Sequence, residues 1–245
     1  MLPQIKILLV FGMLLLIKFT AAQNDSSIIQ DSHLPDQALY FSAGMGGSAG
    51  VGNFQRKYDQ TAFDYHFTAG VKVLKDQYIF TYLDLAFHRL ESVAVNYFVN
   101  NGPFIYEERH RTSAQMMDLT AGIRYELPQI WYLIPYIQGS FGARNAYLSN
   151  TITDVDADEI IESFRTLSDW NYVAIIGAGL SVPLTPQIFA NLSFNYSNSG
   201  TFDIYLPPTG REGNIINNDP VSYYDLNKTT TDLWGVQVGI SIYLP

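Results

Sequence analysis

An all-β fold, closed as an eight-stranded antiparallel up-and-down barrel, is predicted by three features of the 245-residue sequence. Apolar and polar residues alternate at period two in eight separate runs, as in strands with one polar and one apolar side. The connections between these runs are long and short in strict alternation. Charged residues make up only 15% of the chain and aromatics 14%, against ~25% charged in an average soluble domain.

The first element stands apart from the barrel. Lys6 precedes an apolar run from Ile7 to Ile17, followed by Lys18, Phe19 and the small stretch Thr20-Ala21-Ala22. That order is the order of a cleaved secretory signal peptide, residues 1–22. The run is too short for a spanning helix, which needs ~20 apolar residues. Cleavage after Ala22 removes two lysines and takes the net charge from −9 to −11. Residues 23–38 are polar and aperiodic and read as a flexible periplasmic lead, leaving 39–245 for the barrel. The absence of cysteine excludes a disulfide framework, a thiolate metal site and a Cys nucleophile. An acidic chain without a basic run argues against nucleic-acid binding.

The eight runs are 39–51, 62–74, 77–90, 114–127, 131–147, 170–183, 187–199 and 231–244. Each is long enough for a tilted membrane strand of ~9–11 residues. Long connections are expected at 52–61, 91–113, 148–169 and 200–230. Short ones are expected at Lys75-Asp76, Pro128-Gln129-Ile130 and Leu184-Thr185-Pro186. One end of the barrel is therefore rich in loops and the other is trimmed to turns.

One face of the runs is free of charge. It holds Phe63, Phe67 and Val71, then Leu83, Leu85 and Phe87, then Leu119 and Ile123, then Ile137 and Phe141. It continues with Tyr172, Ile176 and Leu180, with Ile188, Leu192 and Phe194, and with Trp234, Val238, Ile240 and Ile242. The other face carries Asp64, His66, Lys72, Asp84, His88, Asp118, Arg124, Glu126, Gln138, Arg144, Asn191, Asn195 and Gln237 among small residues such as Gly44, Gly70 and Gly179. A soluble barrel of the lipocalin kind would turn the apolar face inward, and a transmembrane barrel would turn it out to lipid. Aromatics near run ends (Tyr78, Tyr97, Trp131, Tyr147, Trp170, Trp234) look like interfacial girdles, and with the scarcity of charge they favour the transmembrane arrangement.

On this pattern residues 39–245 resemble the small eight-stranded outer-membrane barrels of Gram-negative bacteria, the OmpA/OmpX/OmpW-like group. A sharper local match is Gln237–Leu244, in which Gln237, Gly239, Ile242 and Leu244 occupy the polar, glycine and apolar positions of that group's carboxy-terminal assembly signal. Pro245 departs from the usual terminal aromatic. The resemblance implies a monomer in the bacterial outer membrane, its short turns periplasmic and its long acidic loops outside. It also implies its partners: membrane lipid and lipopolysaccharide, the barrel-assembly machinery and periplasmic chaperones, and an extracellular ligand or protein. It implies no cofactor.

Eight strands enclose an interior that side chains can fill, and an isolated charge there costs several kcal/mol. The interior charges Asp64, His66, Lys72, Asp84, His88, Asp118, Arg124, Glu126 and Arg144 are therefore expected to pair as a plug. Counting back from the turns sets His66 near Asp84, Asp64 near His88, and Asp118 beside Gly142 with Arg144 diagonal to it. Arg124 and Glu126 fall lower, toward the short turns. A His–Asp pair also resembles part of a hydrolase triad, but the sequence has no G-x-S-x-G elbow and no residue is assigned as catalytic. Envelope integrity or surface interaction through the loops is the leading function. A narrow channel or transporter for small or apolar solutes, an accessory subunit of a secretion or uptake machine, and a lipid-modifying enzyme are its rivals.

Three loop features carry expectations of their own. Asp154, Asp156 and Asp158 resemble the start of a calcium-binding loop, but Glu159 and Arg165 stand where that loop needs Gly and Glu. A weak surface site for a divalent cation is the most this spacing supports. Ile160, Ile161, Phe164 and Leu167 recur at helical spacing and predict a short helix. Tyr205, Tyr223 and Tyr224 lie among Asn and Gly in 200–230, a composition of adaptable contact loops.

Overall fold

Eight strands close on themselves in the computed structural model, which describes residues 39–52, 54–55, 61–73, 78–101, 104–206 and 225–244. The segments read as signal peptide and lead lie outside the described residues. The strands are β1 (Leu39–Gly50), β2 (Thr61–Lys72), β3 (Ile79–Asn101), β4 (Phe104–Glu126), β5 (Ile134–Asp154), β6 (Glu159–Pro183), β7 (Ile188–Ser199), β8 (Thr201–Leu206), β9 (Asp225–Thr230) and β10 (Leu233–Leu244). The barrel order is β1-β10-β7-β6-β5-β4-β3-β2, and β8 and β9 form a separate two-stranded sheet. All neighbours are antiparallel, and β1 closes on β10 from Leu39↔Leu244 to Gly50↔Leu233. No helix among the described residues is long and apolar enough to cross a membrane, which says nothing against crossing by strands.

The period-two pattern sorts residues as the strand pleat dictates. Leu83, Phe141, Ile176 and Ile240 point outward and are 53–65% exposed, whereas Asp118, Arg144 and Ser241 point inward and are fully buried. A contiguous exposed apolar belt of this kind is not a surface that water tolerates. The molecule is therefore inside-out relative to a soluble barrel, with its polar residues in the lumen.

Three expectations are corrected. Segments 91–113 and 148–169 are not loops: β3 and β4 stay paired as far as Asn101↔Phe104, and β5 and β6 as far as Asp154↔Glu159. Strands β3 to β6 are 21–25 residues long against 12 for β1, β2, β7 and β10. They continue above the belt as a four-stranded sheet, which satisfies their backbone groups where an irregular loop would leave them to water. The helix expected from Ile160, Ile161 and Phe164 is strand β6, because Asn150↔Phe164 and Thr153↔Ile160 pair in the ladder with β5. Segment 200–230 also opens and closes as paired strand, with Thr201↔Thr230 continuing β7 and β10 into the β8–β9 hairpin. Tyr223 and Tyr224 lie outside the described residues.

Candidate functional site

The lumen gathers Asp64, His66, Asp84, His88, Asp118, Arg124, Glu126 and Arg144, and it is built in layers. At the short-turn end Tyr40, Phe80, Phe189 and Tyr243 are 0–1% exposed and pack edge-to-face or stacked. Above them Glu126 Oε1 accepts from Tyr243 Oη at 2.7 Å and from Arg124 Nη2 at 2.9 Å. The same Arg124 Nη2 donates to Ser181 Oγ at 2.7 Å, and the guanidinium lies over the Tyr136 ring at 3.7 Å. A cation over an aromatic face gains from the ring quadrupole, the more so away from water. The inward glycines make room for these rings: a Cβ at Gly70 would overlap Tyr40, and one at Gly179 would overlap Tyr136.

The middle layer holds a small cavity of about 70 Å3, bordered by His66, Asp84, Gln138, Asn195 and Gln237 among others. Thr68 Oγ1 donates to Asp84 Oδ1 at 2.5 Å, and His66 Nδ1 stands 3.9 Å from the same oxygen. Across the lumen Gln138 Nε2 donates to Asn195 Oδ1 and Asn195 Nδ2 donates to Gln237 Oε1. Asp64 Oδ2, His66 Nε2 and Arg124 Nε are buried with no hydrogen-bond partner among the described residues. His66 Nε2 abuts the bare Cα of Gly44, where any side chain would collide with it.

The upper layer is an unbroken chain of hydrogen-bonded polar groups. Ser48 Oγ donates to Asp64 Oδ1, which also meets His88 Nδ1 at 2.8 Å. His88 Nε2 meets Asp118 Oδ2 at 3.1 Å, and Asp118 receives Arg144 Nε and Nη2 at 2.7 Å each. Arg144 completes its set on Thr231 O, Thr231 Oγ1 and Ser197 Oγ. Its five N–H donors therefore have five acceptors, which is all a guanidinium can use. Both His88 nitrogens face carboxylate oxygens, and both donate only when the ring carries two protons. The two carboxylates then balance the imidazolium and the guanidinium.

Above this network the lumen turns apolar. Leu90, Met116, Leu148 and Leu233 form a buried cluster with Phe54, from the turn after β1, and Phe202, from β8.

The structure thus brings Asp64, His88, Asp118 and Arg144 into one group, Arg124 and Glu126 into a second, and His66 and Asp84 into a third. Lys72 joins none of them: its Nζ lies 5.5 Å from the Tyr78 ring at the short-turn rim. Asp118 faces Arg144 directly, not Gly142, which pairs with Thr120. Sequence reasoning missed Ser48, Ser197 and Thr231, which complete the upper network. Ser48 and Ser197 stand at inward positions and were open to the period-two count.

Asp154, Asp156 and Asp158 lie at the β5–β6 turn, where Asp154 Oδ1 accepts the backbone N–H of Asp156 and of Ala157. No three His, Asp or Glu side chains among the described residues are arranged to hold a metal ion. In the octapeptide signal, Gln237 points inward, Gly239 pairs with Gly44, and Ile242 and Leu244 point outward.

No protein-family model matches the chain, and no curated protein matches it. Solved structures do. Neisserial surface protein A aligns at 11% identity and a TM-score of 0.42, covering 84% of this chain and 95% of that one. The attachment invasion locus protein of Yersinia pestis aligns at 12% and 0.43, covering 85% and 99%. A major outer membrane protein of Thermus thermophilus aligns at 12% and 0.48, covering 85% and 99%. Apolar outside, polar within, and closed by its first strand against its last, the chain has the architecture of the small bacterial outer-membrane barrels.

Proposed function

We propose that this chain is a non-conducting barrel of the bacterial outer membrane that acts in envelope integrity or surface interaction through the strands projecting above the lipid. The observation that carries this reading is the closure of the lumen. Aromatic rings fill one end, a neutralised ion network crosses the barrel above the cavity, and Phe54 and Phe202 help fill the other end. Eight strands leave no room for a water column beside such side chains. Among the described residues, what remains available to partners is the sheet of β3 to β6 above the belt. An enzymatic role finds little support in the lumen: neither ring nitrogen of His88 is left to act as a base.

Two measurements test this. Protein extracted from outer membranes should run faster unboiled than boiled on a gel, as a closed membrane barrel does. In planar bilayers it should show no channel activity. Steady conductance by the native chain would overturn the plug and favour the narrow-channel reading. That second reading has one observation in its favour, the cavity with its unpartnered Asp64, His66 and Arg124 atoms.

A further inference from the structure

The register places four of the chain's eight arginines on one outward face directly above the apolar belt. Strand pairing lines up side chains of one face in rows across β3, β4, β5 and β6. The last belt row is Phe87, Met117, Asn145 and Trp170. The next row holds Arg89, Gln115 and Tyr147, and the one above it holds Ser92, Ser113, Ser149 and Arg165. Then come Ala94, Arg111, Thr151 and Ser163, and after them Asn96, Arg109, Thr153 and Ile160. Among the described side chains, four successive rows thus carry one arginine each and no carboxylate. The first described acid on this face is Glu107, a row higher, held by Asn96 Nδ2 at 2.7 Å.

All four arginines are exposed. Two are held in place: Arg109 Nε donates to Asn96 Oδ1 at 3.1 Å, and Arg165 lies 4.7 Å over the Tyr147 ring. Of the other described acids of the projecting sheet, Glu108 and Glu162 lie on its opposite face and Asp154 to Glu159 at the turn. In a chain of net charge −9 this separation is the reverse of a uniformly acidic surface. Rows lie ~7 Å apart along the strands, so the ladder spans the depth of a headgroup layer.

We infer that this arginine ladder on β3 to β6 binds the phosphate groups of phosphorylated lipids in the outer leaflet, fixing the projecting sheet against the membrane surface. The inference rests on the membrane reading above. A guanidinium offers paired N–H donors that match phosphate oxygens. The ladder continues the lipid-facing side of the sheet and begins one row above Trp170, so a membrane headgroup meets it without leaving the bilayer. A partner in solution would first reach the turns.

The test uses the full chain in detergent micelles, titrated with bisphosphorylated or monophosphorylated lipid A. Retained lipid is counted by native mass spectrometry. The native chain should retain the bisphosphorylated form more strongly. Each Arg→Gln change at Arg89, Arg109, Arg111 or Arg165 should weaken retention about fivefold, while Lys228→Gln should leave it unchanged. Equal retention by the quadruple variant, shown folded by its heat-modifiable band, overturns the inference and leaves the membrane reading intact. Patch-dependent binding of a sulfated polysaccharide with no preference between the two lipids also overturns it, in favour of a soluble polyanion. Solubility of the native chain without detergent would sink the membrane reading itself.

Discussion

Asp118 and Arg144 face each other across the β4–β5 ladder, joined by two parallel hydrogen bonds of 2.7 Å, and neither side chain is exposed. Breaking such a pair leaves one charge buried without its counterion, which costs ~3–5 kcal/mol. Asp118→Asn and Arg144→Met should each lower the unfolding free energy, obtained from urea titration of the folded, heat-modifiable band, by that order. The double variant should fall short of the sum, because neither charge is then stranded. Additive losses in this cycle would show that the two groups act independently.

The apolar belt predicts a depth dependence. Arginine at a lipid-facing position near mid-membrane costs ~2–4 kcal/mol and far less outside the hydrocarbon. Leu83→Arg and Ile176→Arg should therefore reduce the folded fraction in bilayers sharply. Ile160→Arg, 67% exposed at the far end of β6, should not. Equal effects at all three sites would contradict the placement of the belt.

Two glycines of adjacent strands should respond oppositely to the same change. A methyl group at Gly179 points into the lumen and overlaps the Tyr136 ring, whereas one at Gly139 points outward with its nearest neighbour at 3.9 Å. Gly179→Ala is expected to cost ~1–3 kcal/mol through overpacking. Gly139→Ala should be neutral or slightly stabilising, since glycine is unfavourable within a strand. Refolding yields into detergent micelles compare the pair.

His110 lies on the projecting sheet, above the belt, buried beside Phe164 and hydrogen-bonded through Nε2 to Asn150 Oδ1 at 3.1 Å. Burial pushes its imidazole below the ordinary histidine value, and the bond to Asn150 offsets part of that. The folded sheet therefore prefers the neutral ring. That preference is fully present above the ordinary value of ~6.5 and is lost as the pH falls below it toward the lowered folded value. Amide protection factors at residues 148–152, taken relative to the intrinsic exchange rate at each pH, should fall between pH 7.5 and pH 5 in the native chain. His110→Gln should flatten that dependence, and an unchanged profile in the variant would assign it to other groups.

The belt portion of the barrel was legible because lipid and lumen impose opposite demands on alternate residues. Phe67 and Thr68, or Leu119 and Thr120, record those demands directly. Above the belt that contrast disappears. Thr112, Ser113 and Ala114 are consecutive and all buried, and Arg109 and His110 face opposite sides yet are both polar. Nothing there alternates in hydropathy, so the strands read as loops. The misplaced partner of Asp118 has a geometric cause. Ile130 and Leu133 bridge across the turn, with Trp131 at φ 59°. The chain thus reverses one residue later than Pro128-Gln129-Ile130 suggests, and every pair on β4 and β5 moves by two. The pairing of Asp64 with His88 escaped this error because the β2–β3 register follows the count from Lys75-Asp76.

The seam between β1 and β10 joins the two most distant parts of the described chain, Leu39 opposite Leu244. Each hairpin from β1 to β7 can zip as soon as its second strand exists, but this seam must wait for β10. Until then both terminal strands present unpaired backbone groups to whatever is near, an invitation to pair with a neighbouring chain. The most vulnerable interval of folding is thus the one before β10 pairs with β1. A chain cut short within β10 would lose more than one strand: it would remain an open sheet, denied the circular continuity on which every other layer of the lumen depends.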